Sequence, residues 1–153
     1  MTVKADPSIG PVVTDSAFAD AGTVVSEAAT QYTNLPGWFN PGMVLMARVI
    51  LGLDLSQVSP ARVVAAHPAR AFLFIHCADD QLVPVHHAYD LKAASPNPRT
   101  ELWIAPGCGH VKAFATHPDE WAQHVLTFLG RELDTDKPTS VPAGILATPR
   151  RGG

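Results

Sequence analysis

The sequence lacks most of the features that would assign a chain at a glance. No apolar run reaches the roughly 18 residues that suggest a bilayer-spanning helix, so no membrane span is expected. Two cysteines in 153 residues do not make a disulfide framework; the bland expectation is two small, partly buried thiols, and a disulfide between the loops that carry Cys77 and Cys108 is the geometrically demanding alternative. A net charge of -3 gives no electrostatic reason to expect nucleic acid or an anionic membrane as partner. No N-terminal stretch sets a basic region before an apolar one, as a secretory signal would, which leaves the cytoplasm as the default compartment. There are no internal repeats, and neither a cofactor nor a metal is expected.

What is present suffices for a folded core. Hydrophobic residues make up 46% of the chain and mean hydropathy is +0.09, values of a chain that buries a core, and the length suits one domain. The organising stretch runs from Phe72 to His110. Phe72-Leu73-Phe74-Ile75 is a continuous apolar run, as expected of a strand covered on both faces. Leu102-Trp103-Ile104-Ala105 is a second such run. The segment between them has the length that a helical crossover between parallel strands needs. Asp79 and Asp80 follow the first strand and His110 follows the second. In open parallel sheets, chemistry gathers beyond the carboxyl ends of the strands. A carboxylate and an imidazole brought together there can act as orienter and base.

These residues carry a resemblance. Asp80-Gln81-Leu82-Val83-Pro84 and Gly107-Cys108-Gly109-His110 resemble the acid turn and the histidine turn of the α/β-hydrolase fold, in its C-terminal part. The resemblance implies that Asp80, rather than Asp79, is the catalytic acid and that His110 is the catalytic histidine. In that fold the nucleophile precedes them, in the order Ser, Asp or Glu, His. No Gly-x-Ser-x-Gly occurs anywhere in the chain. The implied chemistry is hydrolysis of an ester or amide bond in a small-molecule acyl substrate, with the serine absent from this chain.

Nearer the start, Ile9 to Thr14 reads as a short strand. Followed by Asp15-Ser16-Ala17-Phe18-Ala19, it resembles the family's sixth strand and the loop where a lid is inserted. The domain then spans 1–130, with the lid at about 17–66. Within it, Thr23 is a candidate cap for a helix over Val24 to Tyr32. Met43 to Leu51 is an apolar stretch ended by Gly52. The bland reading is a lid packed on the core. The sharper reading is a substrate-facing surface that uses Trp38, Phe39, Met43 and Met46.

Farther along, Pro84 suits the first turn of a helix whose Val85, Ala88 and Leu91 share a face. Ser95-Pro96 ends it. Trp121, Val125, Phe128 and Leu129 form one apolar stripe on a last helix from about Pro118 to Leu129, with Gly130 as its cap. Residues 131–153 read as a mobile tail.

Two rivals remain. His76, Cys77, Asp80, His86, His87, Cys108 and His110 could include a metal site, though their spacing matches no short ligand motif. A noncatalytic fragment or interaction module is the other. His86 and His87 are expected to be exposed at a helix start, and His76 to be buried and hydrogen-bonded. A three-stranded parallel α/β sheet with flanking helices and a helical lid insertion is the expected architecture, with an exposed first strand and one face short of helices that normally cover it. That arrangement predicts marginal stability, self-association through the edge, or pairing with a missing N-terminal half.

Overall fold

A computed structural model describes residues 9–33, 36–39, 41–42, 45–46, 49, 52 and 54–135. Three strands, β1 (Val12–Asp15), β2 (Phe72–Cys77) and β3 (Glu101–Ala105), form a parallel sheet in the order β1-β2-β3. Val12 pairs with Phe72 and Leu73 with Glu101, so the carboxyl ends of all three strands lie along one rim.

Strand β2 is central and all six of its residues are buried. Its alternating side chains serve two cores. Leu73, Ile75 and Cys77 meet Ala113 of α4 (Ala113–Thr116) and Val125 and Phe128 of α5 (Pro118–Thr135). Phe72 and Phe74 meet Val64 of α2 (Pro60–Ala65) and Leu91 of α3 (His86–Ala94). Both faces of β2 therefore carry helices, as the expected flanking helices imply, and the expected loss of helical cover from one face is not seen on this strand. The elements on either side of the sheet come from within this chain, and each large apolar side chain removed from water contributes about 1.5–3 kcal/mol. Strand β1 is different: all four of its residues are only half-buried. It pairs with β2 alone. The amides of Val12 and Ser16 donate toward β2, to Ala71 O at 3.2 Å and Ile75 O at 2.9 Å. Alternation along a parallel strand then turns the Val13 and Asp15 amides outward.

Local signals explain the helix ends. Helix α1 (Ala21–Thr33) is capped by Asp20, whose Oδ1 accepts the Gly22 amide at 2.9 Å and the Thr23 amide at 3.3 Å. Asp20 thus takes the role expected of Thr23, because the helix starts three residues earlier and a carboxylate there also suits the positive end of the helix dipole. Ser59 caps α2, with Pro60 in the first turn. Helix α3 starts at His86 and stops at Ser95, before Pro96. Helix α5 runs past Gly130 to Thr135. Interior glycine costs a helix about 1 kcal/mol. Tertiary ion pairs offset it: Glu132, 3% exposed, meets Arg99 at 3.2 Å, and Arg131 meets Glu101 at 2.5 Å. Residues 131–135 are accordingly helix rather than tail, and 136–153 lie outside the described residues.

Candidate active site

The carboxyl rim brings Asp80 and His110 together. Asp80 lies in the turn after β2 and His110 in the turn after β3. His110 Nδ1 stands 2.9 Å from Asp80 Oδ2. The Asp80 side chain is fully buried, while the His110 ring is 34% exposed. The other carboxylate oxygen, Oδ1, accepts the amides of Leu82 and Val83, each at 2.9 Å. Burial pushes the Asp80 carboxyl up. The Val83 amide, His110 and the Leu82 amide outweigh it, and the carboxyl is held below its ordinary value. An ionised Asp80 accepts the Nδ1–H of His110, which assigns the tautomer and leaves Nε2 as the basic nitrogen.

His76 supports the acid turn from beneath. It is fully buried, as expected. Its Nε2 lies 2.8 Å from Val83 O and 3.5 Å from Asp80 Oδ2. A proton on Nε2 closes the Asp80–Val83 turn, and Nδ1 has no hydrogen-bond partner.

The neighbouring cysteines correct the expectation of free thiols. Cys77 and Cys108 form a disulfide, with Cα atoms 5.2 Å apart. They are adjacent because β2 and β3 are hydrogen-bonded neighbours, a proximity that sequence separation hides. The bond withdraws both sulfurs from any metal site. Among the described residues, Glu27, His86 and His87 are the group whose ligand atoms come within 4.8 Å of one another. His87 is fully buried, not exposed as expected. Its Nδ1 accepts the Ala19 amide at 3.3 Å and its Nε2 faces Glu27 at 3.0 Å. That places the ring proton on Nε2, toward the carboxylate, so the ring offers no lone pair to a metal there. His86, half-exposed, meets the same carboxylate at 3.1 Å. The trio ties α1 to α3.

Ser16 follows a strand without the flanking glycines of a nucleophile elbow, and the structure gives it another place at the rim. It follows β1 directly with φ +53, and its hydroxyl accepts the Val111 amide at 3.0 Å. Its own proton goes to Asp15 Oδ1 at 3.2 Å. The hydroxyl thus fastens the chain just past His110. A Ser directly after an apolar strand was the available signal, but its partner lies 95 residues away.

The lid candidates are not drawn into this network. Trp38 and Phe39 stack on each other with centroids 3.9 Å apart and are 74% and 40% exposed. Met46 is 59% exposed, and Met43 lies outside the described residues. A cleft of about 410 Å³ opens at the opposite, amino end of the strands, between Pro11, Ala71 and Arg99. The Arg99–Glu132 ion pair lines it, and no acid–base pair like that of the rim does. No helix among the described residues is long and apolar enough to cross a membrane.

No protein-family model matches the chain, and no curated protein does. Solved structures do. The Pyrococcus furiosus esterase Pf2001 is similar over 86% of this chain and 47% of its own, at 20% identity and a TM-score of 0.62. The Pyrococcus horikoshii acylaminoacyl peptidase is similar over 86% of this chain and 21% of its own, at 14% identity and a TM-score of 0.59. MGS-M2, an α/β hydrolase from a deep-sea metagenome library of the Medee basin, is similar over 84% of this chain and 59% of its own, at 16% identity and a TM-score of 0.52. The chain therefore spans about half the length of Pf2001, and the fold it adopts is that of the α/β hydrolases.

Proposed function

We propose that this chain supplies the acid and the base of a Ser-His-Asp triad that hydrolyses an ester or amide bond in a small acyl substrate. The observation that carries the reading is the 2.9 Å contact between His110 Nδ1 and a fully buried Asp80 carboxylate. His110 Nε2 takes the proton of an attacking hydroxyl and returns it to the leaving group. Asp80 orients the ring and stabilises the imidazolium. The nucleophile is not in these residues: there is no Gly-x-Ser-x-Gly, and the Ser16 hydroxyl is 6% exposed and already bonded on both sides. The chain corresponds to the C-terminal part of its relatives' fold, and the serine belongs on a strand that pairs with the outer edge of β1. Trp38, Phe39, Met43 and Met46 form the substrate-facing part of the lid.

The same edge makes this chain prone to join another, whether a second copy or a missing N-terminal half. No nucleic acid enters this reading. A disulfide such as Cys77–Cys108 persists where the surroundings oxidise thiols, so this reading favours an oxidising compartment over the cytoplasm.

The test has two arms. The 153-residue chain is assayed with p-nitrophenyl esters and with a fluorophosphonate that labels activated serines. No labelling and no turnover above that of His110→Ala are expected. Rapid turnover that His110→Ala abolishes would place the nucleophile inside the chain and overturn the split-triad reading. In the second arm, the coding DNA upstream of Met1 is read in frame. A Gly-x-Ser-x-Gly there supports the proposal, and a stop codon close upstream removes it. For the edge, Val13→Pro deletes an outward amide and spares the Val12 and Ser16 bonds to β2. Concentration-dependent association, weakened by that change, is the expected result by light scattering.

A further inference from the structure

The two turns that hold the acid and the base each carry one half of the disulfide. Cys77 is the last residue of β2, three before Asp80. Cys108 follows β3, two before His110. Resting on the acid–base reading of Asp80 and His110, we propose that the Cys77–Cys108 disulfide is a positioning clamp. It fixes the His110 turn at hydrogen-bond distance from Asp80.

The two partners are not held equally. Asp80 is secured without the disulfide. Two amides bind Oδ1 and the His76–Val83 contact closes its turn. The His110 turn is built on a more permissive backbone. Cys108 sits between Gly107 and Gly109, and a Cβ built on either glycine meets nothing within 4 Å. Gly107 has φ +62. Glycines with open space around them leave a backbone many conformations to choose from. Four noncovalent bonds besides the His110–Asp80 contact limit them among the described residues: Asp79 N to Cys108 O at 3.2 Å, Lys112 N to Gly109 O at 3.1 Å, Val111 N to Ser16 Oγ at 3.0 Å, and His117 Nε2 to Pro106 O at 2.7 Å. The first of these depends on Cys108 staying beside the acid turn, which is what the disulfide enforces. Both cysteines are buried, at 0% and 5% exposure, so a reductant reaches the bond only when the rim opens. The clamp is built to persist rather than to switch. Reduction by a dithiol breaks the S–S bond, gives two thiols, and leaves the reductant as its own cyclic disulfide.

The test reads the pair itself and needs no turnover. In 1H–15N NMR, the proton on His110 Nδ1 is followed together with the acid titration of the Asp80 carboxyl. In the oxidised chain the Nδ1 proton is expected to be visible and Asp80 to titrate below its ordinary value. In Cys77→Ala/Cys108→Ala the proton is expected to exchange about ten-fold faster or vanish. Asp80 is expected to move upward, while the methyl signals of Leu73 and Ile75 stay dispersed. Adding Gly109→Ala, which narrows the freedom of the turn, is expected to restore part of the signal. An unchanged Nδ1 proton and Asp80 titration after loss of the disulfide overturn the clamp. Collapse of the whole sheet, both in the double variant and in the dithiol-reduced chain, overturns it too, since a positioning role leaves the sheet standing. An Nδ1 proton absent already from the oxidised chain sinks the acid–base pair instead.

Discussion

The carboxyl rim and the segment that carries α1, Trp38 and Phe39 are built in different ways. At the rim, residues far apart in sequence are joined directly: Ser16 to Val111, Cys77 to Cys108, Asp80 to His110. In that segment, α1 is tied down chiefly by its own cap at Asp20 and by Glu27 reaching His86 and His87. Its aromatic pair, Trp38 and Phe39, stacks on itself and faces solvent. The difference teaches where geometry can be trusted to hold chemistry. A parallel sheet fixes the ends of its strands, so side chains placed just past them are positioned by many shared bonds. The Glu27 side chain is placed instead by bonds to one neighbouring helix, α3.

The comparison can be broken first at the core beneath the rim. Phe128 is fully buried against β2. Phe128→Ala is expected to cost about 3–5 kcal/mol, measured by urea unfolding. A cost near zero would mean that α5 does not hold the sheet. Next is Asp80→Ala, which strands the amides of Leu82 and Val83 and the His110 Nδ1–H in a buried site. The expected loss is about 1–3 kcal/mol, with the His110 Nδ1 proton lost in the same sample.

Acid sharpens the same contrast. The Asp80 carboxyl is lowered from 3.8, so on acidification the unfolded chain binds its proton first. Its contribution is complete above 3.8 and disappears as pH falls through the lower folded value. Stability measured against pH should therefore decline below about 4 in the native chain, and the decline should be smaller in Asp80→Asn. Identical acid profiles would remove Asp80 from the ledger of rim contacts. In the α1 segment, Glu27→Gln weakens the tie to His86 and His87. The expected loss is no more than about 1 kcal/mol. Amide exchange should quicken in α1 and not at the rim. Trp38→Ala comes last, within about 0.5 kcal/mol by the same unfolding assay, because the side chain is 74% exposed.

Much of the rim is legible in the sequence for a plain reason. A continuous apolar run such as Phe72 to Ile75 must be a buried strand, and a turn must follow it, so Asp80 and His110 fall where chemistry gathers. The stripe of Trp121, Val125, Phe128 and Leu129 finds its core in the same way, as Val125 and Phe128 show. Legibility fails where the partner is distant or the competing signals are local. Gly130 looks like a helix end, yet ion pairs to Arg99 and Glu101 carry α5 onward. His87 looks like a surface residue beside His86, yet helix geometry turns it inward onto Ala19 and Glu27.

The order of residues alone marked the apolar strands β2 and β3 and a crossover long enough for them to run parallel, because hydrophobic patterning acts over a few neighbours; the acid and histidine turns were singled out by their resemblance to those of the α/β-hydrolase fold. Tertiary structure decided the rest: that Cys77 and Cys108 join, that Ser16 holds the chain past His110, and that His87 is buried. Each depends on which strand lies beside which, and adjacency in a sheet is a matter of distance in space that no local run of residues encodes.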